Sequence, residues 1–114
     1  MTLRQKQSLF VRLVADLIEY ATSLGFELTF GEAYRSPEEA ARLAAAGKGI
    51  TGSLHTSRLA VDVNLFMDGV YQPTTRAYEP LGTFWEAQHP LCRWGGRFTR
   101  SDGNHFSLTH GGRA

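Results

Sequence analysis

The chain has 114 residues, of which 42% are hydrophobic and 20% charged, as is ordinary for one globular domain. This composition excludes a disordered, fibrous or low-complexity protein, and the formal net charge of +1 is too small for a polycation that coats nucleic acid. The single cysteine, Cys92, excludes an internal disulfide framework and a cysteine-rich zinc module. No apolar run approaches the roughly 20 residues that span a bilayer.

The N-terminal segment predicts an amphipathic helix rather than a signal peptide. Apolar residues recur every three or four positions from Ser8 to Leu24, and Gly25 follows as a C-terminal stop. Arg12 and Asp16 interrupt the apolar run at helical spacing, and no small-residue cleavage site follows. We therefore expect a chain that is made in the cytoplasm without a signal peptide and inserts into no membrane.

A strand and a short helix are predicted next. The segment Phe26–Phe30 alternates between apolar and polar residues, which is typical of a half-buried strand. Ser36 is a good helix cap, Pro37 fits the first turn, and Glu39 completes a capping box. The alanine-rich helix ends near Gly47, and a polar, glycine-rich loop follows it.

The second half of the chain predicts three strands and a helix. Leu59–Phe66 forms a strand, a turn follows, and the chain returns in a further strand from Val70. A third helix runs to about Gln88, and His105–Leu108 is the last strand, after which the tail is expected to fray. The order of elements predicts an α+β fold in which helices pack on a mostly antiparallel sheet. We expect residues 1–114 to form a single domain.

Two of the predicted strands each present one group that could bind a metal ion. Val61 and Val63 share the core face of their strand, so Asp62 points to the opposite face. His105 likewise points away from the core side of the last strand, and His55 stands at the end of the glycine-rich loop. Two histidines, one carboxylate and an open position are the usual plan of a catalytic zinc site.

A catalytic zinc site also needs a base, and a peptide substrate would need a cation as well. Asp102 is the candidate base, because Gly103 allows a turn that brings it to the same side as His105. Arg35 stands at a strand-to-helix junction, where its side chain is held firmly. It could bind a substrate carboxylate or the oxyanion that forms during attack.

Each of these residues also has a purely structural explanation. Asp102 and Gly103 could form only a turn, and either histidine could be a hydrogen-bonded structural residue. Asp62 could pair with Arg58, and Arg35 could be a surface residue paired with Glu32. The joint position of the candidates at strand ends and turns, on the side away from the core, favours a common site. Three further residues are assigned structural roles only: His89, His110 and Cys92.

The chain resembles the zinc peptidases that cut the stem peptides of bacterial peptidoglycan. Residues 53–55 and 60–62 resemble the family signature S-x-H-(x)4-A-x-D, and the segments 34–36, 94–98 and 102–106 also match. The family includes D-alanyl-D-alanine carboxypeptidases and phage endolysins that are L-alanyl-D-glutamate endopeptidases. The resemblance runs from about Gly31 to Leu108 and implies the small α+β fold that is shared with hedgehog-type domains.

The resemblance implies one zinc ion per chain, with His55, Asp62 and His105 as its ligands. It also implies that Asp102 is the catalytic base, that Arg35 contacts the substrate or the oxyanion, and that Ser53 supports the site by hydrogen bonding. Two departures stand out. Many members have glycine where this chain has Arg58, and many carboxypeptidases have glutamate as the base, so Asp102 is closer to the endolysins.

The leading expectation is therefore a monomeric endolysin-like enzyme that hydrolyses the L-alanyl–D-glutamate bond. It would act on the cell wall after release from the host cytoplasm, with no separate wall-binding domain and no nucleic acid partner. The alternative within the same class is a D-alanyl-D-alanine carboxypeptidase. A non-catalytic, zinc-stabilised binding module and a structural protein without metal are the alternatives from other classes.

Overall fold

The computed structural model describes all 114 residues, and it has three α-helices and five β-strands. The helices are α1 (Leu3–Ser23), α2 (Pro37–Ala45) and α3 (Glu79–Gln88). The strands are β1 (Glu27–Phe30), β2 (Ala60–Met67), β3 (Val70–Tyr71), β4 (Cys92–Trp94) and β5 (His105–Leu108). Short 3-10 turns cover Leu54–Ser57, Thr75–Tyr78 and Gly95–Arg97. None of the helices combines the length and the apolar character needed to cross a membrane.

The strands form one antiparallel sheet in the order β1-β2-β5-β4, with β3 also paired to β2. The long strand β2 pairs with three of the other strands, and β4 pairs only with β5. The first residues of β2 pair with β5, and its later residues pair with β1 and β3. The predicted α+β architecture with a mostly antiparallel sheet is confirmed.

The hydrophobic core lies between the sheet and the helices α1 and α3. Phe10 of α1 meets Trp85 of α3 edge-to-face, and Trp85 meets Phe106 of β5 in the same way. The indole Nε1 of Trp85 also donates a hydrogen bond to the carbonyl of Ser107 at 3.1 Å. Burial of such large aromatic side chains is a major source of stability, so this core holds β5 firmly in place.

Three local predictions need correction. Helix α1 begins at Leu3 rather than near Ser8, because Thr2 and Gln5 form a reciprocal capping box. Strand β4 was not predicted, since it has three residues and pairs only at the far edge with β5. The C-terminal tail is not frayed, because Arg113 Nη1 donates a hydrogen bond to the carbonyl of Gly52 at 2.7 Å.

Candidate metal and catalytic site

Asp62 and His105 face each other across the ladder between β2 and β5. They are direct partners in the antiparallel register, so their side chains leave the sheet on the same face. Alternation along β2 places Val61 and Val63 on the opposite face, in the core. The His105 side chain is nevertheless buried, because the rings of His55 and Phe98 pack against it.

His55 reaches the same point from the 3-10 turn that follows the glycine-rich loop. The hydroxyl of Ser53 caps this turn by accepting a hydrogen bond from the backbone N–H of His55 at 3.2 Å. The ring Nδ1 lies 3.1 Å from the carbonyl oxygen of Ala33. Because a carbonyl only accepts, Nδ1 must carry the proton, and the lone pair of a neutral ring is then at Nε2. This is the arrangement typical of a metal-binding histidine.

The three side chains present one ligand atom each, and these atoms all lie within 4.8 Å of one another. Asp62 Oδ1 is 3.3 Å from His55 Nε2 and 3.4 Å from His105 Nδ1. This oxygen is buried and has no hydrogen-bond partner, which is unfavourable unless another positive group binds it. Tetrahedral ligands with bonds of about 2.0 Å are separated by about 3.3 Å, so both distances from Asp62 Oδ1 match those around an ion such as zinc.

The protonation of the cluster reflects these close contacts. Burial acts to raise the pKa of Asp62, but the contacts with His105 and His55 outweigh it and lower the pKa to about 2. Burial acts to lower the pKa of His55, but Asp62 and the carbonyl of Ala33 outweigh it and raise the pKa. Asp62 is therefore fully ionised at neutral pH, as a ligand carboxylate must be.

Asp102 lies just before β5, in a loop that depends on two glycines. The backbone N–H of Asp102 donates to the carbonyl of Gly95 at 2.9 Å, and a Cβ on Gly95 would lie 2.1 Å from the carbonyl oxygen of Asp102. A Cβ on Gly103 would lie 2.7 Å from the Cα of Thr75. The predicted turn exists, but Gly103 is needed for this close approach and does not adopt a positive φ.

Asp102 is not one of the three clustered ligands, but it lies within their electrostatic influence. Partial burial raises the pKa of its carboxyl above the ordinary value. The charge of His105 opposes this rise, and the charge of Asp62 adds to it. A carboxylate with a raised pKa is a stronger base than an ordinary aspartate, as a proton acceptor requires.

Arg35 is held beside the site by both its backbone and its side chain. Its backbone N–H donates to the carbonyl of His55 at 3.2 Å. Its guanidinium Nε forms an ion pair with Glu32, and its side chain is only 13% exposed. Arg35 therefore lies at the predicted strand-to-helix junction. It also forms the ion pair with Glu32 that its structural explanation predicts. The remaining guanidinium N–H groups are free to bind an anion.

Three features of the site were not predicted. The carbonyl of Ala33 orients His55, but a backbone acceptor leaves no signal in a sequence. The indole of Trp94 donates to the carbonyl of Gly103 at 2.7 Å and so braces the Asp102 loop. Arg58 does not pair with Asp62. Its guanidinium instead stacks over the ring of Tyr34 at 4.0 Å.

The thiol of Cys92 takes no part in the cluster. The side chain is buried in the core, and burial raises its pKa to about 12. Since the thiolate is the form that binds metals and attacks substrates, Cys92 is inert at neutral pH. Its assignment as a structural residue agrees with this environment.

Comparisons with known proteins agree with the family resemblance of the motifs. A profile of the D-alanyl-D-alanine carboxypeptidase family matches residues 46–108, the segment that contains all three clustered ligands. The crystal structure of the L-Ala D-Glu endopeptidase ChiX from Serratia marcescens is similar, with a TM-score of 0.75 and 25% sequence identity. That match covers 88% of this chain and 77% of ChiX. No match was found among curated protein sequences.

Proposed function

Because this chain belongs to the D-alanyl-D-alanine carboxypeptidase family, we propose that it is a zinc-dependent endopeptidase of peptidoglycan stem peptides that cleaves the L-alanyl–D-glutamate bond. Its family and its structural neighbour support the conclusion that the chain is a peptidase. The observation that supports zinc dependence is the cluster of His55, Asp62 and His105, in which both histidines are buried. The similarity to ChiX, an L-Ala D-Glu endopeptidase, supports the choice of bond.

The three clustered residues would hold the metal ion. When bound, zinc supplies a Lewis acid that polarises a carbonyl oxygen and lowers the pKa of water towards neutrality. The ladder between β2 and β5 orients Asp62 and His105, and the carbonyl of Ala33 orients His55. Ser53 is not one of the three ligands. Its hydroxyl would hold the backbone of His55 in place, in line with the supporting role implied by the family resemblance.

Asp102 and Arg35 would act on the substrate itself. The Asp102 carboxylate would accept a proton from the attacking water and then donate a proton to the nitrogen of the leaving amine. The free guanidinium N–H groups of Arg35 would bind the negative charge that develops on the carbonyl oxygen. The ion pair with Glu32 restrains the Arg35 side chain, so little conformational freedom is lost when it binds the oxyanion.

The decisive experiment is the digestion of purified Gram-negative peptidoglycan, with zinc and then with a chelator, followed by mass spectrometry of the soluble products. We expect chelator-sensitive release of stem peptides that begin with D-glutamate. The matched control is D102N, which should bind zinc and release product at least about 100-fold more slowly. Activity that persists in a chelator, or a fully active D102N protein, would contradict the proposal.

A second candidate is a D-alanyl-D-alanine carboxypeptidase, the activity in the description of the matching family. The same digestion separates the two candidates, because a carboxypeptidase releases free D-alanine and leaves the L-alanyl–D-glutamate bond intact. Bound zinc without release of any product would instead favour the non-catalytic binding module.

A further inference from the structure

Arg58 adopts a backbone conformation that residues with side chains rarely adopt. Its φ is 56° and its ψ is 36°, in the left-handed region that favours glycine. The residue ends the 3-10 turn that carries His55, and its N–H points to the carbonyl of His55 at 3.4 Å. Glycine would adopt this conformation without strain, so arginine at this position has a backbone cost that a role of its side chain would offset.

The Arg58 side chain is held in a defined position. Its Cζ lies 4.0 Å from the centre of the Tyr34 ring, the geometry of a cation–π interaction. Tyr34 immediately precedes Arg35, whose N–H bonds to the carbonyl of His55. The stacked pair therefore lies where the segment 33–35 and the turn 54–57 meet, at the edge of the candidate metal site.

The charge of Arg58 is also uncompensated. No carboxylate lies within 4.0 Å of its guanidinium, whereas the nearby Arg35 already forms an ion pair with Glu32. The Tyr34 ring leaves one face and the edge of the guanidinium open to solvent, because both residues are exposed. A planar, exposed guanidinium without a partner is well suited to bind a carboxylate through two parallel hydrogen bonds.

We infer that Arg58, stacked on Tyr34, binds a carboxylate of the peptide substrate and sets a preference for an anionic residue beside the scissile bond. This inference rests on the proposed function, in which the D-glutamate that follows the scissile bond carries a free α-carboxylate. Arg35 and Arg58 then divide two tasks. Arg35 serves the developing oxyanion, and Arg58 selects the substrate by its charge.

The test compares two synthetic stem peptides, one with the free α-carboxylate of D-glutamate and one with this group amidated. The wild-type enzyme, loaded with zinc, should show a kcat/KM at least about 10-fold higher for the carboxylate peptide. R58G should bring the ratio of the two kcat/KM values close to one, chiefly through a higher KM for the carboxylate peptide. R58K keeps the charge but loses the planar pair of donors, and we expect it to retain only part of the preference.

A matched control is available in Asp68, which is the other non-glycine residue with a positive φ, at 50°. Asp68 lies in the turn between β2 and β3, so D68G relieves a similar backbone strain without removing Arg58. Both glycine variants should melt at a higher temperature than the wild type, and only R58G should lose the substrate preference.

Three different failures are distinguishable. A wild-type enzyme that cleaves neither peptide nor peptidoglycan overturns the proposed function and, with it, the role of Arg58. A wild-type enzyme that is active, with a preference that R58G leaves unchanged, overturns the role of Arg58 alone. An R58G protein that melts at a lower temperature and loses activity equally on both peptides would identify Arg58 as a structural residue.

Discussion

The candidate site is built from two regions that are held in very different ways. Asp62 and His105 stand on neighbouring strands, where backbone pairing and the core beneath β5 determine their positions. His55 stands on a short turn after a polar loop, and it is held by a few local hydrogen bonds that it donates to Ser53 and Ala33. The sheet therefore provides a preformed pair of ligands, while the loop provides a third whose position depends on individual contacts.

This difference predicts a division of labour between stability and metal binding. Damage to the sheet should unfold the protein, because the ladder and the core form one cooperative unit. Damage to the loop should leave the fold intact and weaken metal binding, because the loop buries less apolar surface. Substitutions in the sheet and in the loop should therefore differ in their effects on stability and on zinc binding.

The largest effects are expected for the ligand on the sheet and for the base beside it. H105A should lose both bound zinc and activity, since it removes one of the three ligands. D102N should keep one zinc per chain and lose activity by about 10²- to 10⁴-fold, the usual contribution of a general base. Metal content measured by mass spectrometry alongside peptide hydrolysis checks both variants. Loss of zinc from D102N would place Asp102 among the ligands instead.

The core beneath the site should be the next most sensitive region. F106A removes a fully buried ring from the residue of β5 that follows His105. It should lower the free energy of unfolding by about 3–5 kcal/mol. Chemical denaturation of the metal-free protein measures this loss. F30A is the control, because its side chain is 67% exposed and its removal should change stability by less than about 0.5 kcal/mol. Equal losses in the two variants would contradict the assigned core.

A loop substitution should show the opposite pattern. S53A removes the hydroxyl that caps the His55 turn, which should lower the free energy of unfolding by about 0.5–2 kcal/mol. Zinc affinity should fall by about 10- to 100-fold, as is typical when a group that orients a ligand is lost. Calorimetric zinc titration and denaturation of the same variant test the two effects. A large loss of stability with unchanged zinc affinity would refute the division of labour.

The smallest expected effect is a change of stability with pH, whose direction reverses when zinc is added. The pKa of His55 is raised above its ordinary value of 6.5, so the protonated ring stabilises the folded protein. This contribution to the free energy of unfolding is present below pH 6.5 and is lost as the pH rises through the folded-state pKa. The metal-free protein should therefore become slightly less stable as the pH rises above 6.5. Zinc requires the neutral ring, so the stabilisation by zinc should grow over the same range. Melting curves with and without zinc measure both slopes.

The sheet half of the site could be predicted from the sequence because alternation is a strong local rule. Asp62 stands between two apolar residues, and the polar face of β2 follows from that pattern alone. The residue that pairs with Asp62 on β5 cannot be predicted from this pattern, because the register depends on contacts between distant parts of the chain. The prediction that His105 joins Asp62 rests on alternation in the last strand, on chemical type and on family resemblance, and the register explains it.

The loop half could be predicted much less well. The motif identifies His55, but the contacts that orient its ring come from a backbone carbonyl that any residue could supply at position 33. The turn at Gly103 was predicted for its flexibility, whereas the structure requires glycine because Thr75 lies so close. The hydrogen bond between Arg113 and Gly52 was also missed, because a short polar tail that contains two glycines resembles a frayed end. Close approaches and long-range side-chain contacts of this kind have no periodic signature.

The direct pairing of Asp62 with His105 makes the metal site a readout of correct strand alignment. A slip of one residue between β2 and β5 would turn one of the two side chains to the opposite face and separate the ligands. A misaligned chain could fold compactly and still hold no ion. Hydrolytic activity would then report on the register of two distant segments, so the fraction of active molecules in a refolding reaction would count correctly aligned chains.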